Sequence, residues 1–334
     1  MKKYSLAAKY SPVSAFPNKQ MLIPILVSFI IPHKGRVDLL SKTLESILMQ
    51  DFDRKQIEII LVTQEPALDL HEIVSKIDLK TIYCSSQETI AVLRNKGAEV
   101  AAGKYLAFID ADISLSSNWI ETVLEELMAK SNRVLVSTKV ACGDSPTSVE
   151  KIWLRINNEK IDKAVDSLHA RNLFLSKKVF KKTGGFPEEL TTCEDTYFTN
   201  KLSQMGEVYI TPRAFHEHLG EDKTYSELFV KEIWRSQSNL HSIWGRKMPL
   251  KELPSIIFPF WEAFWSLGFI IAILLQKPFL ILFSLLAFWG PIFLYSLRIY
   301  SKDLRELSLF DTLRFYLVYF VARMIGSIKG LFSR

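Results

Sequence analysis

Apolar residues in the first two thirds of the chain follow two alternating rhythms. Short continuous runs stand at Met21 to Ile31, Ile57 to Val62, Thr81 to Cys84, Tyr105 to Ile109, Arg133 to Val140, Arg171 to Leu175 and Val208 to Ile210. Runs of that length suit buried strands. Between them the apolar positions recur every three or four residues, as in Val37 to Met49, where Leu39, Leu40, Leu44, Ile47 and Leu48 fall at helical spacing. Further helices are predicted before Gly103, from Trp119 to about Lys130, around Val179, and from Thr192 or Cys193, with Glu194 and Asp195 at its head. Strands alternating with helices predict βαβ units and a mostly parallel sheet. Ser148 to Asp166 has no clear period, Gly184-Gly185-Phe186-Pro187 reads as a turn, and Phe215-His216-Glu217-His218 follows the last strand. Tyr225 to Trp244 is amphipathic.

At Leu253 the rhythm stops. Pro254 to Leu275 carries one charge, Glu262, and Phe279 to Leu297 carries none. Both are apolar all round, and each is long enough to cross a hydrocarbon core of about 30 Å at 1.5 Å per residue. Lys277-Pro278 is the turn between them. The tail from Ser308 to Arg334 mixes Phe310, Leu313, Leu317 and Phe320 with Asp311, Arg314, Arg323 and Lys329, the pattern of an interfacial helix broken at Gly326. Residues 1–25 read as a loosely ordered arm. The run from Met21 contains Pro24 and no small-residue cleavage site, so it is a first strand rather than a signal peptide.

Composition agrees with a membrane protein: 48% of the 334 residues are hydrophobic and 12% aromatic. The net charge of +6 is spread out, without zinc-finger spacing or aromatic RNA-binding motifs, which argues against nucleic acid and suits a membrane surface or an anionic substrate. Cys84, Cys142 and Cys193 are scattered and odd in number, so no disulfide framework is implied and a reducing compartment is favoured.

The candidate chemistry centres on Arg94 to Asp112. The apolar run there ends in Asp110 and Asp112. Ligands of parallel sheets collect at the carboxyl ends of strands. Two carboxylates there can hold a hard divalent cation, and that cation a diphosphate. The same residues would equally serve as a helix N-cap or turn.

Taken in order, several short motifs resemble the family 2 glycosyltransferases of GT-A fold. They are Val27-Ser28-Phe29-Ile30-Ile31-Pro32, the Leu44 to Gln50 helix, Arg94-Asn95-Lys96-Gly97, Asp110-Ala111-Asp112, Gly184-Gly185-Phe186 and Glu194-Asp195. The resemblance covers roughly residues 26–245, which it divides into a nucleotide-sugar-binding half, 26–112, and an acceptor-side half, 113–245. The two spans follow at 254–297 and the tail helix at 308–334. It implies an α/β fold with a Rossmann-like sheet, and inverting transfer of a sugar from a nucleotide-diphosphate sugar, a UDP-sugar first among donors, to a hydroxyl acceptor. Mn2+ or Mg2+ is the implied cofactor.

By the same resemblance Asp195 is the general base and Glu194 positions the acceptor. Pro32, Arg94, Asp110 and Asp112 touch the donor. Asp112 and His216 hold the metal, with His218 as the competing histidine. The family's Asp-Asp-Gly-Ser after the second strand is replaced by Thr63-Gln64-Glu65-Pro66, where Glu65 or Gln64 could accept the nucleobase N–H, and this departure leaves the identity of the nucleotide open. The Gln-x-x-Arg-Trp motif of processive polymerases is absent, which favours transfer of a single sugar.

Arg246, Lys247 and Lys251 precede the first span, Arg298, Lys302 and Arg305 follow the second, and the turn carries one lysine. The positive-inside rule then places the catalytic domain on the cytoplasmic side of an inner or plasma membrane, with a lipid-linked or glycan acceptor and membrane lipids as partners. Two alternatives remain open on sequence. One is a sugar nucleotidyltransferase, which lacks its glycine-rich loop here. The other is an inactive membrane scaffold of the same fold.

Overall fold

The computed structural model describes residues 24–66, 79–237, 253–302 and 306–332. An 8-stranded mixed sheet with the order β3-β2-β1-β4-β7-β6-β8-β5 forms its centre. The strands are β1 (Val27–His33), β2 (Ile57–Thr63), β3 (Leu79–Tyr83), β4 (Tyr105–Ile109), β5 (Ile113–Leu115), β6 (Arg133–Ala141), β7 (Asn172–Ser176) and β8 (Glu207–His218). β3, β2, β1 and β4 run parallel, as does the pair β6 and β8. β7 runs antiparallel to β4 and β6, and β5 antiparallel to β8.

Both faces of the sheet are covered. On one, Leu40, Leu44 and Ile47 of α1 (Val37–Leu48) join Trp119, Ile120 and Val123 of α3 (Trp119–Ala129) over Phe29 and Ile31. On the other, α2 (Ile90–Val100), α5 (Lys177–Thr183) and α6 (Glu194–Ser203) pack Leu93, Phe180 and Phe198 over Ile30 and Phe108. A strand buried on both faces must be apolar throughout, which is why β1 and β4 read as unbroken runs.

Three elements differ from the sequence reading. Ser148 to Asp166 is not irregular at its start: α4 (Ser148–Asn158) opens there on a capping box, in which Thr147 and Glu150 each satisfy the other's backbone N–H. β8 does not stop at Ile210; it runs on to His218, so the two histidines are strand residues. The short β5 also went unread, and its register sets Ile113 opposite His218 and Leu115 opposite His216.

Beyond α7 (Tyr225–Arg235) stand three long helices, α8 (Leu253–Leu274), α9 (Pro278–Tyr300) and α10 (Leu309–Phe332). All three are long and apolar enough to cross a membrane. In α8 and α9, residues such as Phe264, Ile270, Leu282 and Leu294 are exposed, a surface fit for lipid. α10 is tied to α7 along its length. Tyr225 Oη meets Asp311, Arg323 pairs with Glu232, and Gly326 packs on Ile233 and Ser236. It runs unbroken through Gly326. Residues 1–23 of the N-terminal arm, the segment after Gln237 with Arg246, Lys247 and Lys251, and Arg305 lie outside the described residues.

Candidate active site

The carboxyl ends of β1, β2 and β4 bring His33, Thr63 and Asp110 to one edge of the sheet. Across that edge lies Arg94 of α2, 2% exposed. Its Nη1 donates to Glu194 Oε1 at 2.7 Å and its Nη2 to Asp110 Oδ1 at 2.8 Å. One guanidinium thereby joins the strand end to the head of α6. Phe186 backs it, with the ring centroid 5.2 Å from Cζ. Asn95 clasps the same turn: Nδ2 donates to the Phe186 carbonyl and Oδ1 accepts the Phe186 N–H, both at 2.9 Å. Gly185 is required here, since it has φ 79° and a Cβ would lie 2.8 Å from Asn95 Oδ1. Asn95 is a positioning residue that the sequence reading passed over, although it sits inside the motif used for Arg94.

α6 starts from Cys193, at φ 65°, which sets Glu194 and Asp195 in its first turn. Burial and the neighbouring Asp195 charge push Glu194 up to about 7 against the pull of Arg94. Asp195 goes the other way. Burial would raise it, but His169, Arg94 and the Thr196 N–H hold it below the usual carboxylate range. Its Oδ1 accepts from Thr196 N at 2.6 Å and its Oδ2 from Ala170 N at 3.2 Å, with His169 Nδ1 3.5 Å away. The result is an ionised carboxylate with 18% of its side chain exposed, fixed beside the Arg94 bridge and open to solvent.

Asp112 lies two residues beyond Asp110. Its Oδ2 accepts from Arg36 Nη2 at 2.6 Å and lies 3.3 Å from His218 Nε2. The register explains the second contact, because Ile113 pairs with His218. Burial would raise Asp112, but His218 and Arg36 outweigh it and hold the carboxylate ionised. The far ring nitrogen of His218 lies 3.0 Å from Glu221 Oε2, and Arg171 holds that same oxygen at 2.7 Å.

His216 is placed differently. Trp119 Nε1 donates to Asn172 Oδ1, which turns Asn172 Nδ2 toward His216 Nδ1 at 2.9 Å, and Thr138 Oγ1 is 3.1 Å from the same nitrogen. Burial and the Arg171 charge lower His216 to about 3. Of the two histidines, then, the structure brings His218 and not His216 onto Asp112.

No three His, Cys, Asp or Glu side chains among the described residues cage an ion by themselves. Asp112 and His218 would offer one oxygen and one imidazole nitrogen to a divalent cation, once His218 gives up the proton that Asp112 and Glu221 favour against burial and Arg171. His218 backed by Glu221 matches the usual support of a metal-binding imidazole. The loop after β8 passes close by: a Cβ on Gly220 would lie 2.3 Å from Asp112 Oδ2 and 2.4 Å from Arg36 Nη1, so only glycine fits against that pair.

Pro32 is buried in β1 opposite Val62. Glu65 Oε1 accepts the Gly35 N–H at 3.0 Å, beside the loop after β1. Gln64 is spent on the carbonyls of Ser85 and Glu88, at 2.9 and 2.7 Å.

Residues 28–183 match the family model described as Glycosyl transferase family 2. That stretch belongs to glycosyl transferase family 2. It contains Arg94, Asp110 and Asp112, whereas Asp195 and both histidines lie beyond it. An uncharacterized glycosyltransferase of Rickettsia felis is 33% identical over 178 residues, 52% of this chain and 25% of that protein. A glucosyl-dolichyl phosphate glucuronosyltransferase of Haloferax volcanii is 26% identical over 163 residues, 45% of this chain and 52% of its own length. The chain thus spans between a quarter and about half of these curated relatives. The mannosyltransferase PcManGT from Pyrobaculum calidifontis, solved with GDP-Man and Mn2+, shares the fold with a TM-score of 0.61 at 16% identity, over 93% of this chain and 90% of that one.

Proposed function

We propose that this family 2 glycosyltransferase moves one sugar, with inversion, from a nucleotide-diphosphate sugar to a hydroxyl of a lipid-linked acceptor in surface glycan or glycolipid synthesis. The observation that carries the reading is the Arg94 bridge between Asp110 and Glu194, which sets a diphosphate-binding strand end beside a base-bearing helix. The Pyrobaculum structure, described with GDP-Man and Mn2+, and the dolichyl phosphate in the Haloferax relative's name support the donor and acceptor classes. For the nucleotide we keep UDP first, with Glu65 at the base.

Inversion needs attack on the anomeric carbon from the face opposite the departing diphosphate, and a base for the acceptor proton. Asp195 is ionised, held by two N–H donors and open to solvent. It takes that proton, and Glu194, locked by Arg94, holds the acceptor side in place. Asp112 and His218 are the residues that would hold a divalent cation, which when bound neutralises charge on the leaving diphosphate. Arg36, half-exposed beside Asp112, adds positive charge at the same edge. The hairpin of α8 and α9 anchors the catalytic domain, on the cytoplasmic side by the charges of Arg298 and Lys302.

The test is Asp195→Asn. The amide keeps the shape and loses the proton acceptor, so transfer falls by about 10²- to 10⁴-fold. Binding of the nucleoside diphosphate stays as in the wild type. A variant turning over within a few-fold of wild type moves the base elsewhere.

A further inference from the structure

A cavity of about 550 Å³ lies between the sheet and the C-terminal helices, next to the strand-end edge through Arg171, whose carbonyl accepts the Asp110 N–H. Its sheet-side wall includes His169 and Thr196, both partners of Asp195, together with Arg171. The opposite wall is Phe258 of α8, Tyr295 and Arg298 of α9, and Phe320 and Arg323 of α10. Phe258 stands near the start of the first span and Arg298 near the end of the second, so the cavity sits at the level where the hairpin enters the bilayer. Phe258 meets Tyr295 and Phe320 edge-on, which lines the membrane end with aromatic surface.

The charge at this level is positive. Glu159 is shared between Arg298 and Lys302, and Glu232 between Arg323 and Arg235. Glu159 thus serves two cations and leaves one positive charge over, whereas Arg235 is also matched by Asp222. A chamber with surplus guanidinium and ammonium charge at its rim and aromatic rings below is complementary to an amphiphile with a phosphate-ester head and an apolar chain. Its sheet-side wall is formed by partners of Asp195, which favours an acceptor over a bulk lipid.

We propose that this cavity receives the diphosphate head of a lipid-linked acceptor, with Arg298 in contact with it and the chain leaving past Phe258 and Phe320. The assignment rests on the transferase reading. The acceptor oxygen forms its bond to the anomeric carbon as the bond to the nucleoside diphosphate breaks, and its proton passes to Asp195. Holding the head at Arg298 fixes how far the accepting hydroxyl stands from that carboxylate.

The probe is farnesyl diphosphate, added to the full chain in detergent with chelator present, so that Asp112 and His218 hold no cation. Binding raises the unfolding temperature by mass action. Wild type is stabilised. Arg298→Gln, at a half-exposed side chain, weakens that binding about tenfold, and Arg298→Lys restores most of it. UDP with Mn2+ stabilises all three proteins alike, which shows that the fold is intact. Equal affinity in Arg298→Gln overturns the proposal. So does equal stabilisation by inorganic diphosphate, or by phosphatidylglycerol, which would mark a general anion or lipid site. Donor turnover is read separately. A protein that turns over nucleotide sugars but ignores farnesyl diphosphate keeps the transferase reading and loses this one. A protein that turns over none loses the transferase reading.

Discussion

Replacing Arg94 by glutamine strands two carboxylates at once, and its cost depends on pH in a way the structure fixes. Glu194 is 6% exposed, while the Asp110 side chain is 24% exposed and can be partly rehydrated. Breaking a buried ion pair costs about 3–5 kcal/mol. The lower end applies here, because Glu194 already lies near 7 and can shed its charge by taking a proton. Without Arg94 its folded-state value rises further above the unfolded one. A carboxyl raised in this way stabilises the fold at low pH and loses that contribution as pH rises.

The variant is therefore about 3 kcal/mol less stable than wild type at pH 7, and the gap widens by up to about 1.4 kcal/mol at pH 8. Arg94→Gln/Glu194→Gln removes the titrating group and with it the widening. Urea unfolding followed by tryptophan fluorescence at the two pH values reads all three numbers. A loss under about 1 kcal/mol, or a gap that does not change with pH, refutes the view that Arg94 neutralises Glu194 across the cleft.

Two further outcomes follow from the site and the hairpin. Glu221→Gln should weaken Mn2+ binding by about 10- to 100-fold in titration calorimetry, because the carboxylate behind His218 orients the ring; unchanged affinity would assign the ligand elsewhere. Cysteines placed at Lys19 and Ser308 should resist labelling from outside intact cells while one at Lys277 reacts, and the opposite pattern would reverse the orientation.

The strands buried on both faces were legible in the sequence because such strands must be apolar runs, and β1, β2 and β4 stand close to where those runs stand. The hairpin was legible because two adjoining runs are apolar all round and each is long enough to cross a bilayer. α4 was missed because its apolar side is thin, yet Thr147 and Glu150 spell the capping box that opens it. At the site, the motifs set Arg94 toward the donor, and its bridge between Asp110 and Glu194 was not legible in them. The choice between His216 and His218 was not legible, because it depends on the three-residue β5 and its register against β8. Nor could spacing show that Trp119, through Asn172, would claim the His216 ring. The tail read as amphipathic, but its partner, α7, is set by close approaches such as Gly326 on Ile233, which no periodicity encodes.

The most direct measurement is transfer of labelled sugar by the purified full chain from a panel of UDP- and GDP-sugars to membrane lipid, with and without chelator. The account predicts transfer that stops in chelator, returns with Mn2+ or Mg2+, and is lost in Asp112→Ala. Full transfer in metal-free buffer, or undiminished transfer by Asp112→Ala, would contradict it.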